Sequence, residues 1–318
     1  MIAALLLPPL VLPLCAAAAR LVVVGDTGAA ADGEGSHIGA EDLAAWRAAV
    51  KAEDPDLIVV PGDLIYGPDA LERGPACRWP DPAERALYEQ RIGARFRDLG
   101  APVVLVVGNH DVGHARRSPA REACLRAWAQ QAGPPFTVAR HGQRLPLGAA
   151  DLVLLDTNRP FDGGGAQEAL AAAGADGRWR VAVGHHTLRT VGDKTDEDRH
   201  RAWMATLPPE HRPQLWINGH AHVLQLALQG DVAALTSGSG SKVRRGSADD
   251  PVPSCGGSAE PCPAPGLDWS LLASRPLHGY AVVDIEEAVL QARLKDVHGA
   301  PLSCHQRARG GPAWSACP

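Results

Sequence analysis

Aromatic side chains are scarce in this chain of 318 residues: three Phe, three Tyr and eight Trp make up 4% of it. A core built on aromatic stacking is therefore excluded, and Ala, Leu and Val must fill the interior. Excess positive charge is also missing. Lys and Arg number 31 against 36 Asp and Glu, a formal net charge of -5, which argues against a nucleic-acid duplex as partner. No Cys-x-x-Cys occurs, so zinc–thiolate and thioredoxin-type sites have no support. Internal repeats and coiled-coil heptads are absent as well. With 45% apolar and 21% charged residues, neither intrinsic disorder nor a polytopic membrane protein fits. What the chain does have is 34 Gly and 27 Pro, which predict many turns and long loops.

Residues 2–19, IAALLLPPLVLPLCAAAA, carry no charge. Pro8, Pro9 and Pro13 spoil the run as a membrane-spanning helix, and Ala-x-Ala registers between Ala16 and Ala19 close it. We read 1–19 as a cleaved secretory signal, although its start lacks Lys and Arg. The chain is then exported, periplasmic or secreted, with no stable membrane span after processing. Lipidation at Cys15 is a lesser alternative, because Leu14 is large where that processing takes a small residue. An ordinary apolar first strand is another. Removing Cys15 leaves six cysteines, an even number that suits an oxidising compartment. Six allow fifteen pairings. Proximity suggests Cys255–Cys262 and Cys304–Cys317, which leaves Cys77–Cys124.

After the leader, RLVVVGDTG (20–28), DLIVVPGD (56–63) and APVVLVVGNHD (101–111) are apolar runs ending in Gly and a polar residue. Helical spacing appears between them, at 40–53 and 82–100. This alternation predicts βαβ units around a buried parallel sheet, with polar side chains delivered at the strands' carboxyl ends. The second half repeats the rhythm in DLVLLDTN (151–158), WRVAVGHH (179–186), QLWINGHAH (214–222), VAALTSG (232–238) and GYAVVDI (279–285). Residues 287–297 fit either a final strand pair or a short helix, and 246–278 read as a long surface excursion. The expected architecture is one α/β domain over 20–303, a four-layer α/β/β/α sandwich of two mixed sheets flanked by helices. A disulfide-tied tail, 304–318, follows.

Five strand ends carry metal-seeking side chains: Asp26 in GDTG, Asp63 and Tyr66 in GDLIY, Asn109 with His110 in GNHD, His185 in GHH, and His220 with His222 in GHAH. Carboxylate, amide oxygen, phenol and imidazole without thiolate suit Fe, Mn or Zn rather than a structural zinc. Without His110 that makes seven donors, too many for one ion, and an Asp can bridge two. A pair of ions about 3.5–4 Å apart would clamp a phosphoryl group during in-line attack. Each block also has a bland reading. GDTG is a common turn, Tyr66 could be a core tyrosine, and the basic turn of Lys242, Arg244 and Arg245 could be merely solvated. The number and order of the blocks outweigh these readings.

In that order and spacing the blocks resemble the calcineurin-like metallophosphoesterases over about residues 21–300. Among them the chain looks most like the purple (tartrate-resistant) acid phosphatases. The wider superfamily usually has Asp-x-His in the first block; here Gly28 takes that place and Tyr66 supplies a replacement donor. The resemblance implies Fe(III) held by Asp26, Asp63, Tyr66 and His222. It implies Fe(II), Zn or Mn held by Asp63, Asn109, His185 and His220. It further implies in-line attack of a metal-bound hydroxide on a small-molecule phosphate monoester. His110 would protonate the leaving oxygen, and Asp111 would orient His110. A literal Val-x-x-His count from Val183 selects His186, but the Gly-His pattern favours His185 as the ligand and leaves His186 to face substrate or pack nearby. Lys194 stands where a phosphate-contacting histidine is expected and, with Arg244, is a candidate substrate contact. A phosphodiesterase on the same scaffold is the runner-up, acting on nucleotides, phospholipid headgroups or envelope phosphodiesters. A non-catalytic phosphate- or metal-binding envelope protein ranks third.

Overall fold

The computed structural model describes residues 18–66, 81–113, 119–159, 165–191, 197–245, 254–255, 269–311 and 313–318. The leader up to residue 17 with Cys15, and also Cys77, His114, Lys194 and Cys262, lie outside the described residues.

Side chains alternate across a strand, so a strand covered on both faces is apolar throughout. In β1 (Ala19–Val23), Leu21 and Val23 face one way and Val22 the other, and all three are fully buried. Each contributes roughly 1.5–3 kcal/mol by leaving water. The same doubly buried pattern runs through β2 (Leu57–Pro61) and β3 (Val103–Val106), which join β1 and β4 (Phe136–Val138) in parallel. On its other side β1 pairs antiparallel with β12 (Gly279–Ile285). A meander of β13 (Val289–Asp296), β14 (Pro301–Ala308) and β15 (Ser315–Ala316) completes this eight-stranded sheet.

The second sheet has seven strands. Its middle is parallel, through β6 (Ala150–Leu154), β7 (Trp179–Val183), β8 (Leu215–Asn218) and β10 (Val232–Ser237). Antiparallel strands flank it: β5 (Gln143–Leu147) at one edge, β9 (Leu224–Gln229) and β11 (Ser270–Arg275) at the other. Inward-facing Leu21, Val23 and Val59 of the first sheet meet Leu152, Val183 and Ile217 of the second in one core. The outer faces are covered by helices. Helix α1 (Ala40–Ala52) brings Trp46 and Val50. Helix α2 (Pro82–Tyr88) runs through a π turn (Glu89–Gly93) and a last turn (Ala94–Phe96), bringing Ile92 and Phe96. A one-turn helix, α3 (Asn109–Val112), precedes α4 (Pro119–Ala132), whose Leu125 and Trp128 complete that layer. Helices α5 (Gly165–Ala172) and α6 (Glu197–Thr206) cover the other sheet with Leu170, Trp203 and Met204. The four layers match the expected α/β/β/α sandwich.

Two stretches resolve or revise the sequence reading. Residues 289–296 are a strand: Leu290, Ala292 and Leu294 are buried at period two, with polar residues between them. Within the supposed excursion at 246–278, Ser270–Arg275 is strand β11, because Leu271 and Ala273 pack on β9. The segment after 303 begins as part of β14, and a Cys304–Cys317 disulfide, as proximity suggested, clips β15 back onto it. Closing a loop of this length stabilises by about 3 kcal/mol in the chain-entropy account. Cys124 and Cys255 are also disulfide-bonded.

Candidate metal centre

The carboxyl ends of β1, β2, β3, β7 and β8 meet at one place between the two sheets, and each passes into a tight turn. Asp26 (φ 56°), Asp63 (φ 54°) and His220 (φ 69°) adopt the left-handed backbone that side-chain-bearing residues avoid. Surrounding contacts hold them there. The Asp26 Oδ2 accepts the His220 N–H at 2.7 Å, and the Asp26 carbonyl accepts the Ser241 hydroxyl at 2.5 Å. The Asp63 Oδ1 accepts the His110 N–H at 3.0 Å.

Two groups of donor atoms result, sharing Asp63. In the first, the Tyr66 hydroxyl oxygen lies 2.9 Å from Asp26 Oδ1, 3.0 Å from Asp63 Oδ2 and 3.0 Å from His222 Nε2. His222 Nε2 is 3.3 Å from Asp26 Oδ1. In the second, His185 Nε2 lies 2.9 Å from Asn109 Oδ1, 3.1 Å from His220 Nδ1 and 3.2 Å from Asp63 Oδ1. An ion bonded at about 2.1 Å to donors at right angles sets them about 3.0 Å apart. Both groups fit that spacing. The His185 Nδ1–H donates to the Pro61 carbonyl at 2.8 Å, which fixes the tautomer and turns Nε2 toward the cluster.

Electrostatics point the same way. Burial would raise the Asp63 carboxyl, but the His185 and His110 rings hold it well below the usual carboxylate range. Burial would lower the His185 ring, but Asp63 prevails and pushes it up to about 9. The Tyr66 phenol is driven well above its ordinary value by burial and by the Asp26 and Asp63 carboxylates. A phenol wedged between two carboxylates ionises readily only beside a cation. The donor set therefore fits two metal ions.

Packing also accounts for the pairing of Gly28 with Tyr66. A Cβ at residue 28 would lie 2.5 Å from the Ile65 nitrogen and 2.6 Å from the Tyr66 nitrogen. The Tyr66 N–H donates to the Gly28 carbonyl at 3.2 Å. A histidine at 28 and this path for the Tyr66 loop are sterically incompatible.

The remaining candidates divide. His110 is partly exposed, its ring edge-on to Tyr66 at 4.6 Å and its Nε2 3.9 Å from Asp63 Oδ2. Asp111 does not take the expected part of orienting His110. Its Oδ2 accepts the Gly108 N–H at 2.7 Å and its Oδ1 those of Leu64 and Ile65 at 2.8 and 3.2 Å, so it ties the second block to the third. Burial and Asp63 push this carboxyl up to about 7. His186 is buried behind the ligands, 4.6 Å from the His220 ring and stacked on His200 at 5.4 Å, rather than facing substrate. Burial and the neighbouring His185 hold its ring well below the usual histidine value. Arg244 is half-buried, and its backbone N–H donates to the His222 carbonyl at 2.9 Å. From the same turn, the Lys242 ammonium lies 3.8 Å over the centre of the Tyr66 ring.

Thr157 is a residue that the motifs did not reveal. Its Oγ1 accepts the N–H groups of His185 and His186 at 3.2 and 3.0 Å, which leaves its proton for His186 Nδ1 at 2.7 Å. The only hint in the sequence is its place in DTN, directly after another apolar run.

A family model described as calcineurin-like phosphoesterase matches residues 19–224. Purple acid phosphatase 17 of Arabidopsis thaliana is 38% identical over 71 residues, which are 22% of this chain and 21% of that protein. The match thus spans a fifth of the relative's length. Purple acid phosphatase PPD1 from seeds of yellow lupin (Lupinus luteus) superposes with a TM-score of 0.62 at 15% identity, covering 92% of this chain and 54% of that one. GAP50, the anchor in the inner membrane complex of Plasmodium, gives a TM-score of 0.62 at 15% identity, covering 93% and 89%. At such identities the structural likeness speaks for the fold.

Proposed function

The chain belongs to the calcineurin-like phosphoesterase family, and on that footing we propose that it hydrolyses phosphate monoesters with a binuclear metal centre, in the manner of purple acid phosphatases. The observation that carries this reading is the Tyr66 oxygen, 2.9–3.0 Å from Asp26, Asp63 and His222. Asp26, Asp63, Tyr66 and His222 would hold Fe(III), a hard cation suited to a phenolate and carboxylates. Asp63, Asn109, His185 and His220 would hold Fe(II), Zn or Mn. When bound, the two ions would polarise the phosphoryl group and supply a water acidic enough to attack it near neutral pH.

The protein's own residues do the rest. Asp63 offers one carboxylate oxygen to each group. The Pro61 carbonyl and Thr157 fix the His185 ring and backbone. His110, the partly exposed imidazole at the rim, protonates the leaving oxygen. The domain begins at residue 20 and takes in the clipped tail, whose strands β14 and β15 belong to the first sheet, and the protein is exported. Its Cys304–Cys317 disulfide suits an oxidising compartment. Among the described residues no helix is long and apolar enough to cross a membrane.

Purified protein should carry two metal ions, absorb visible light by tyrosinate-to-iron charge transfer, and prefer 4-nitrophenyl phosphate to bis(4-nitrophenyl) phosphate. Absence of stoichiometric metal together with no turnover of either ester would overturn the proposal. Preference for the diester would replace it with the phosphodiesterase.

A further inference from the structure

Beyond Asn109, a cavity of about 380 Å³ opens where the carboxyl ends of β3 and β6 face each other. Val106 and Val107 form one wall and Leu155 the other, giving it an apolar floor. Val107 precedes Asn109 by two residues, so their Cα atoms are at most about 7.6 Å apart. The opposite wall continues through Asp156 into Thr157, which holds the His185 turn. The cavity is thus lined by the segments that lead into Asn109 and Thr157.

Its charges are unequally engaged. Glu122 faces Arg126 at 2.8 Å and Arg159 at 3.8 Å. Asp156 accepts from Arg159 Nε at 2.8 Å and from the Asn158 N–H at 3.1 Å. Arg126 also donates to the Val138 and Ala139 carbonyls, at 3.1 and 2.8 Å. The lining carboxylates are therefore occupied by cations already present. Arg140 is exposed at the same rim, and among the described residues its guanidinium has neither a carboxylate nor a hydrogen-bond partner. His141 Nδ1 accepts the Asp156 N–H at 3.1 Å and so ties this wall to the Asp156 turn. An apolar floor under donors, with the lining acids already paired, is a receptor for a small organic anion.

We infer that this cavity binds an oxyanion carried on a small apolar body, such as an aryl carboxylate or sulfonate, through Arg140 with Arg159. The anion is either part of the substrate's leaving group or a separate molecule; the first case rests on the phosphatase reading and the second does not.

The metal-loaded full chain and its Arg140→Gln variant decide the matter with benzenesulfonate, a poor metal ligand, titrated calorimetrically. Loss of a charge-assisted hydrogen bond should weaken binding roughly ten- to hundredfold. In parallel, kcat/KM is compared for 4-carboxyphenyl and 4-nitrophenyl phosphate. If the leaving group occupies the cavity, the variant loses about tenfold on the carboxylate ester and nothing on the nitro ester. If a separate anion does, only the benzenesulfonate affinity changes. Failure of benzenesulfonate to bind, or equal binding to both proteins, with an unchanged substrate ratio, overturns the inference. Inertness toward both esters would count against the phosphatase reading alone, and the calorimetric arm would still decide the cavity.

Discussion

The two donor groups share Asp63 yet differ in charge. Around Tyr66 the donors are Asp26, a phenol and one imidazole, with the Lys242 ammonium above the ring. Around His185 they are two imidazoles and an amide, and the only charge among them comes from Asp63. An anionic set stabilises a trivalent ion far more than a neutral set does, whereas imidazole suits divalent ions. One shared residue thus joins two donor groups of different charge, and the difference lies in what each half of the fold contributes.

The most drastic way to break the comparison is to remove what the groups share. Asp63→Gly accepts the left-handed backbone and deletes both oxygens. Both ions should be lost, with activity down by roughly a thousandfold or more; elemental analysis finding one full equivalent retained would show that Asp63 serves one group only. Gly28→His should sharpen the contrast by disturbing the Tyr66 loop alone. The visible band should vanish while about one divalent ion per chain remains, and an unchanged spectrum would refute the steric account of the Gly28–Tyr66 pairing. His110→Ala removes a ring that packs on Tyr66 but no donor of either group. Metal content should be unchanged while kcat falls roughly 10²- to 10⁴-fold, most for esters with poor leaving groups.

The smallest effect concerns the metal-free protein. There Asp63 pushes the His185 ring up to about 9, above the roughly 6.5 of an unfolded histidine. The Asp63–His185 pairing therefore contributes fully below the unfolded value and is lost as pH rises through the folded one. Thermal melts of the metal-free protein should fall between about pH 6.5 and 9.5, and metal loading should flatten that slope. A flat profile without metal would remove His185 from the account.

Much of this was legible because each block follows a doubly buried strand and opens on a glycine, so apolar pattern and chemistry sit side by side in the chain. Asp26, Asp63, Tyr66, Asn109, His185, His220 and His222 are brought together as their blocks suggested. Features set by contacts between distant segments were not. Strand β11 is a brief apolar run beside Gly- and Pro-rich sequence, and only its pairing with β9 makes it a strand. Asp111 lies next to His110, but its partners on the second block exist only once β2 and β3 are adjacent. Lys242 and Tyr66 meet only because two sheets face each other.

The position of β1 between β2 and β12 has a consequence for biogenesis. The strand that leads into Asp26 gains its second neighbour only when residues 279–285 have been made. No intact cluster can exist on a nascent or unfolded chain, since its donors run from Asp26 to His222 and converge only through the finished sheets. An exported chain that crosses a membrane unfolded would therefore arrive without its ions. Its metal complement would be selected by the supply in the compartment where it folds, not by that of the cytoplasm where it is made.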